Sequence, residues 1–576
     1  MANYSAYMDK VILFDLGTQE TSVLPWSDED RCRYIGGSAM AAKLLGDSKN
    51  AADLIVITTG PLTGTGAPGS NYFNISAVSP LTGEVSHSSC GGNFGLYLKK
   101  AGIDALVIKG SCEKPMWLGI LNEHFTLHKA GGIWGKTVST TNAELQAAID
   151  EERNCRVKCG MLTIGPAGEN GAAVATVASG DNDACTCSLG AVFGAKKLKA
   201  IVVTGNHDIS VADEEKALEN HKQWAQHLHA HPITGELLPK RGSIGFVERL
   251  QEVSLLPTEN FSKAGCDFAH EIGGEVFADK YNVVNRGCTY CPIRCERSAM
   301  CEGEVVKGPS LNAAVLLGSN ILNSDMKLIV RWTKELHELG LDLTHTAKAV
   351  AWAMQARSEG VWKTELQFGI TTNISDTFAA IALKTGIGEE LAMGCTALGK
   401  KYGGEFAYMF TDIVGAAARN YVGFNGTLSD YAERYTDAAL NAGQCPCVAL
   451  ALIPAFMVKK PHGIKAAAAR KLAPLAPVAA KIISVLPETV GDKLPVTFLT
   501  RELRYTVGMS MTLDALVKTG TADSVGLPKP MLKAYKAANA FSVKDCAAKL
   551  KETAEKLKDM DKDELLAKLG IKDIKE

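Results

Sequence analysis

Asn285-Arg-Gly-Cys-Thr-Tyr-Cys-Pro-Ile-Arg-Cys-Glu-Arg297, near the middle of the 576-residue chain, sets Cys288, Cys291 and Cys295 in a CxxCxxxC array. Three thiols this close in sequence can converge on one soft metal centre. A tight turn brings the first two together, a helical turn adds the third, and the proline after the second cysteine fixes φ there. Three ligands leave a tetrahedral ion or an iron–sulfur cubane one short. The fourth must come from a distance, and Asn441-Ala-Gly-Gln-Cys-Pro-Cys447 offers Cys445 and Cys447. Structural zinc sites usually show two paired knuckles, and the first half here is not so paired. The pattern favours an iron–sulfur cluster over zinc or unrelated buried thiols.

Composition sets outer bounds. A chain of this length holds about two to four domains. The formal charge of −2 gives no support for a nucleic-acid or membrane-surface partner. Sixteen cysteines, with no basic-then-apolar leader in the first residues, point to a reducing, cytoplasmic setting. No apolar run reaches the roughly 18–20 residues that span a bilayer, so no membrane span is expected.

Residues 1–205 read as short strands joined by turns. Lys10–Leu16, a turn at Gly17 and Glu20–Leu24 make an opening hairpin. Tyr34-Ile-Gly-Gly37 enters a helix, and Leu54–Thr58 is a strand ending in the glycine-rich Gly60–Gly69. Gly91-Gly-Asn-Phe-Gly95 begins as a loop and continues as a helix, and Asp104–Gly110 holds another strand. Leu162–Asn170 and Ser188–Ala200 repeat the theme of a glycine loop beside a strand or helix. Such loops let backbone N–H groups approach a ligand, and a helix starting there favours anions. There is no GxxxxGK[ST] loop and no GxGxxG with a fitting acid, which argues against an ordinary nucleotide domain. Several glycine loops in one β-rich domain fit a large, phosphate-bearing cofactor.

From about residue 206 the periods become helical. Glu214–His229, Ser324–Leu339 and Leu343–Glu359 read as helices, the last two flanking Gly340-Leu-Asp342. His221, His227, His229 and His231 cluster without an acidic or thiol partner at ligand spacing, so a solvated helix face is the expectation. An Ala- and Pro-rich helix over 464–490 and a charged, solvated helix pair over 543–576 complete the chain.

Taken together, these stretches resemble the aldehyde ferredoxin oxidoreductase family, whose members are tungsten (sometimes molybdenum) bis-pterin enzymes. The carriers, in order, are Tyr34–Gly37, Thr58–Pro68, Ser79–Gly83, Gly91–Gly95, Thr163–Asn170, Leu189–Ile201, Cys288–Cys295, Leu317–Asn320, Glu338–Asp342 and Gly443–Cys445. The resemblance implies an α+β fold: an N-terminal β-sheet saddle binding pterin over 1–205, then mainly helical domains over 206–420 and 421–576. It implies a 4Fe-4S cluster on Cys288, Cys291, Cys295 and Cys445, choosing Cys445 over Cys447. Asn93, Gly95, Gly190, Ala191 and Asp342 would contact the two pterins, often with a magnesium (Mg) bridging their phosphates. The implied activity is oxidation of an aldehyde or related small-molecule substrate, with electrons passing to ferredoxin or a partner subunit. A homo-oligomer is compatible with this reading.

The departures fall around the substrate. The arginine common in the family before LGAV is replaced by Ala184-Cys-Thr-Cys-Ser188, and another by Tyr72, leaving Lys196 or Lys197 as candidates for phosphate. Ser310 and Asn312 stand where relatives often carry glutamates, so neither can accept a proton as a carboxylate. His345 becomes the candidate proton acceptor, with His337, Glu302 and Glu304 as outside candidates. The segment between Asp342 and Cys445 is also short. An alternative follows from these losses: a family scaffold without metal-pterin, acting as an iron–sulfur electron-transfer or assembly subunit.

Overall fold

A computed structural model describes residues 5–180, 182–184, 188–252, 256–404 and 443–445. Cys447, the expected helices over 464–490 and 543–576, and nearly all of the expected 421–576 domain lie outside the described residues.

Two six-stranded sheets form the N-terminal half. The first contains β1 (Val11–Asp15), β2 (Thr21–Leu24), β3 (Ile55–Thr59), β4 (Phe73–Val78), β5 (Val85–Cys90) and β6 (Ala105–Lys109). Their order is β2-β1-β6-β3-β4-β5, with β1 and β6 parallel and the other pairs antiparallel. The second contains β7 (Met116–Leu121), β8 (His124–Lys129), β9 (Gly160–Ile164), β10 (Val177–Ser179), β11 (Asn182–Ala184) and β12 (Leu198–Thr204). It runs β11-β10-β9-β12-β7-β8.

Strand parity explains the layering. Ile12, Phe14, Ile55, Ile57, Leu106 and Ile108 face one core, while the intervening Val11, Val56, Ala105 and Val107 pack on the helix Gly37–Gly46 behind the sheet. The second sheet does the same. Leu118, Ile120, Leu162 and Ile164 share the first core, whereas Trp117, Ala200 and Val202 meet Leu145 and Ile149 of the helix Val138–Arg153. In β12 the parity slips between Leu198 and Ala200, where a bulge shifts the register and keeps both Leu198 and Ile201 inside. The short helices Phe94–Lys100 and Leu189–Ala195 insert Phe94, Leu98, Leu189 and Phe193 between the sheets. Each such side chain contributes about 1.5–3 kcal/mol by leaving water.

Beyond residue 205 a second core forms around Trp332, Trp352, Phe378 and the helices that carry them. Local chemistry sets the helix ends. Asp325 caps Met326–Leu339 by accepting from Lys327 N at 2.8 Å, and Gly340 ends that helix at φ 68°. Asp342 then starts Leu343–Ser358 by accepting from His345 N at 3.0 Å. The Gly-Leu-Asp sequence is thus a C-cap followed at once by an N-cap.

This half also holds a three-stranded antiparallel sheet of Asn282–Arg286, Glu296–Cys301 and Glu304–Lys307. The cysteine array is the loop of its first hairpin. Cys291 N donates to Cys288 O at 3.0 Å, which is the expected tight turn. The expected helical turn to Cys295 is replaced by irregular loop, with Tyr290 and Arg294 at φ 63° and 51°, because the chain must reverse into the strand at Glu296.

Candidate four-cysteine and cofactor site

The fourth thiol arrives on a turn clamped against the glycine-rich loop after β3. Cys445 N donates to Gly69 O at 2.8 Å, Tyr72 N to Gly443 O at 3.0 Å, and Gly69 N to Tyr290 O at 3.0 Å. One loop therefore holds both the array and the distant cysteine. Gly443 sits at φ 87°, and a Cβ there would lie 2.1 Å from Thr63 Oγ1. No other residue type fits that position. Cys445 is buried beside Ile233, Leu238 and Ile293, with Cys291, Cys295 and Tyr72 packed around the same cluster.

The four thiols feel one another. Burial pushes the Cys288 thiol far above its ordinary value, and Glu296, Cys445, Cys291 and Cys295 push it further. Burial, then Cys445 and Cys295, take the Cys291 thiol up to about 12. Bare thiolates are therefore disfavoured here, and a bound cationic centre would offset that penalty. Yet among the described residues no three His, Cys, Asp or Glu side chains converge tightly enough to hold one metal ion. A tetrathiolate zinc needs all four sulfurs about 2.3 Å from one point.

Two polar atoms beside the site lack protein partners. Ser70 Oγ and Asn71 Oδ1 are buried and unsatisfied, although the Asn71 amide donates to Thr289 O at 3.3 Å. A hydroxyl there can donate to a bound group without breaking an existing bond. Arg297 is buried next to Cys295 and clamps the hairpin. It donates to Arg294 O at 2.9 Å, Glu296 O at 2.8 Å and Leu238 O at 2.7 Å, and also to Pro239 O. The signal in the sequence for this clamping role is the place of Arg297 as the second residue of the returning strand.

The expected pterin residues fall into two groups at the ends of β10. At one end, Asn93 accepts from Thr289 Oγ1 at 3.1 Å, and Ser179 Oγ donates to Gly91 O at 3.4 Å. Asn93, Ser179, Gly180, Arg286, Arg294 and Cys288 line a polar cleft of about 770 Å³ there. Gly95 packs against Asn71 O and Phe73. At the other end, Gly190 N donates to Ala175 O at 3.3 Å, Thr176 N to Gly340 O at 2.9 Å and Asp342 N to Val174 O at 2.8 Å. Ala191 follows Gly190 in the same buried helix turn.

The glycines on this side also have a packing role. A Cβ on Gly190 would lie 2.4 Å from Thr176 O, and one on Gly194 1.8 Å from Gly168 O. These positions are small so that backbones can touch, which strengthens the fold and does not by itself expose N–H groups to a ligand.

Several other candidates are placed by their partners. Lys196 is held by Asp53 at 2.8 Å and by Gly110 O at 2.7 Å, and Lys197 donates to Glu113 O at 2.6 Å. Lys196 thus ties the second sheet to the first, and Lys197 holds the loop that leads into β7. Glu304 pairs with Lys334 at 2.5 Å and Glu302 with Arg331 at 3.6 Å on the surface, so neither is a buried base. Ser310 is exposed and caps the helix Leu311–Leu316 by accepting from Ala313 N at 3.3 Å. His345 is half-buried in the first turn that Asp342 caps. In the histidine group, His227 stacks on Trp224 at 5.1 Å and His231 accepts from Ile233 N at 3.3 Å. His227 and His229 are exposed, as expected of a solvated face, whereas His231 is buried.

The fold and site define a class: a two-sheet glycine-loop domain joined to a helical core, with a four-cysteine site at their junction. Comparison with known proteins is decisive on kinship. The chain belongs to the aldehyde ferredoxin oxidoreductase family, a family of oxidoreductases: its N-terminal domain matches over residues 11–205, and domains 2 and 3 match over 219–439. A tungsten-containing aldehyde ferredoxin oxidoreductase of Pyrococcus furiosus is 34% identical over 411 residues, 68% of this chain and 67% of that one. Its namesake in Thermococcus kodakarensis is 32% identical over 405 residues, covering 68% and 66%. An aliphatic sulfonate oxidoreductase, WOR-like subunit, of P. furiosus is 27% identical over 421 residues, covering 68% and 66%. The matched part is thus about two thirds of each relative. The active-site complex BamBC of benzoyl coenzyme A reductase shares the fold, with a TM-score of 0.61 and 24% identity over 70% of this chain and 64% of that one. No single helix among the described residues is long and apolar enough to cross a membrane.

Proposed function

We propose that the chain is a tungsten- or molybdenum-bis-pterin oxidoreductase that oxidises an aldehyde or a related oxo substrate. Its electrons leave through a 4Fe-4S cluster on Cys288, Cys291, Cys295 and Cys445 to ferredoxin or a partner iron–sulfur subunit. The observation that carries this reading is the convergence of Cys445, on the Gly443 turn, with the three cysteines of the hairpin loop. The metal-pterin would supply two-electron exchange with the substrate and the cluster one-electron steps.

The chain's own residues then have definable tasks. Buried Arg297 places a fixed positive charge beside Cys295, which favours the reduced cluster. Asn93, Gly95, Gly190, Ala191 and Asp342 would hold the two pterins, with a magnesium ion serving their phosphates. His345 would serve as proton acceptor in place of the glutamates that relatives often carry, since Ser310 is an exposed cap and Asn312 is neutral. His345→Gln should lower kcat with little change in KM while leaving metal content intact; unchanged turnover would remove His345 from the reaction.

A second reading is a scaffold without metal-pterin. It is favoured by one observation: Lys196 and Lys197, which could have replaced the missing arginines, already have protein partners. Elemental analysis separates the two, because iron without tungsten, molybdenum or pterin would establish the second.

A further inference from the structure

We infer that Tyr72 is a positioning residue for electron transfer: its neutral ring, set where the cofactor cleft meets the four thiols, holds the reduction potential of the cluster low. The inference rests on the proposed reading of those thiols as a cluster. Tyr72 is also one of the two places where the sequence lacks an arginine that the family resemblance leads one to expect.

The ring is half-buried and touches both sides of this junction. A Cβ built on Gly91 would lie 3.1 and 3.5 Å from two carbons of the Tyr72 ring and 3.6 Å from Cys288 Sγ, so ring and thiol flank the same glycine. Gly91 O accepts from Ser179 Oγ at 3.4 Å, and the next two residues, Gly92 and Asn93, line the cleft together with Cys288. On its other side the ring packs on the apolar cluster that contains Cys445, against which Cys291 and Cys295 also lie. The backbone of Tyr72 is held in place as well. Its N–H donates to Gly443 O at 3.0 Å, and its carbonyl accepts from Thr63 Oγ1 at 2.9 Å.

One-electron reduction adds a negative charge to a cluster. A nearby cation or entering water stabilises that charge and raises the potential, whereas a neutral, water-excluding wall does neither. The charged side chains lining the cleft, Arg286, Arg294 and Glu296, all stand on the cysteine hairpin, as does the buried Arg297 beside Cys295. The glycine-rich loop brings no charge to the junction at residue 72. Arg297 thus favours the reduced state from the Cys295 side, and Tyr72 withholds a second such charge on the Cys288 side. The outcome is a stronger one-electron reductant than Tyr72→Arg would give.

The test is a potentiometric titration of anaerobically purified holoprotein, followed by the electron paramagnetic resonance (EPR) signal of the reduced cluster, in Tyr72→Arg, Tyr72→Ala and Tyr72→Phe. Tyr72→Arg should raise the ratio of reduced to oxidised cluster at a fixed ambient potential about tenfold, which for one electron is a midpoint about 59 mV higher. Tyr72→Ala admits water and should move that ratio the same way, by about threefold. Tyr72→Phe keeps the wall and should stay within about twofold of the wild type. An unchanged midpoint in both Tyr72→Arg and Tyr72→Ala, at full iron, would overturn the inference. A shift in Tyr72→Phe as large as that in Tyr72→Arg would overturn it too, by assigning the effect to the hydroxyl. So would loss of iron from both Tyr72→Arg and Tyr72→Ala, which would make the ring a support of the site and not a determinant of its potential. Wild-type protein without iron would overturn the cluster reading itself, which separates the two failures.

Discussion

Gly443→Ala isolates the step that brings the fourth cysteine into place. Gly443 lies at φ 87°, and the added Cβ would stand 2.1 Å from Thr63 Oγ1 and 3.0 Å from Thr63 N. The backbone conformation costs an L-residue about 1–3 kcal/mol. Overlap with a hydroxyl that itself donates to Tyr72 O at 2.9 Å adds about 1–3 kcal/mol, since the hydroxyl cannot swing away without losing its bond. Against this, Gly→Ala at a tolerant position stabilises by about 0.4–1 kcal/mol through the unfolded chain. The net penalty of about 1–5.6 kcal/mol lowers the ratio of docked to undocked turn by about fivefold or more. Iron and acid-labile sulfide per chain, with the EPR signal of the dithionite-reduced protein, are the assay. The expected result is a preparation with most of its iron lost while the rest of the chain stays folded by circular dichroism. Full iron and an unaltered signal in Gly443→Ala would show that the turn does not position a cluster ligand.

Other perturbations probe different parts of the account. Cys445→Ser should remove the cluster, whereas Cys447→Ser should leave it; iron analysis showing the reverse would reassign the fourth ligand. Asn93→Asp places a negative charge in the cleft it lines and should weaken pterin retention, read as pterin and metal per chain after gel filtration, and unchanged content would refute that placement. Glu169→Gln should destabilise by about 3–5 kcal/mol in chemical denaturation, because fully buried Lys199 would lose the carboxylate charge paired with it and keep only neutral oxygen acceptors, Lys136 O at 3.0 Å among them. Burial holds the His221 imidazole below its ordinary value, and its Nε2 has no partner. The unfolded chain therefore binds a proton there first, so stability should fall as pH drops below about 6.5. His221→Phe should flatten part of that fall in urea titrations, and an identical slope in the variant would show that His221 does not set it.

Much of the N-terminal half was legible because strands rich in β-branched and aromatic residues, bounded by glycine turns, are a local signal. Val11–Asp15 and Ile55–Thr59 are apolar on both sides, so which side faces which core follows only from their partners in the sheet. The Gly340–Asp342 turn was legible for the same reason, since its glycine and aspartate are caps for the helices on either side. What was not legible depended on contacts distant in sequence. The roles of Gly190 and Gly194 follow from Thr176 and Gly168 lying against them. Lys196 looked available for an anion until Asp53, far away in the chain, took it. The loop form of the cysteine array follows from pairing between Asn282–Arg286 and Glu296–Cys301, two segments whose strand character the cysteines and proline between them disguise. The candidate site was visible as residue types in order, and the path by which Cys445 reaches the other three became clear only through the Gly69–Tyr72 loop.

The most direct test is the metal and pterin content of the protein purified without oxygen. The account predicts about four iron and four acid-labile sulfide per chain, together with tungsten or molybdenum and pterin. Zinc in place of iron would contradict the cluster, and iron without tungsten, molybdenum or pterin would contradict the enzyme.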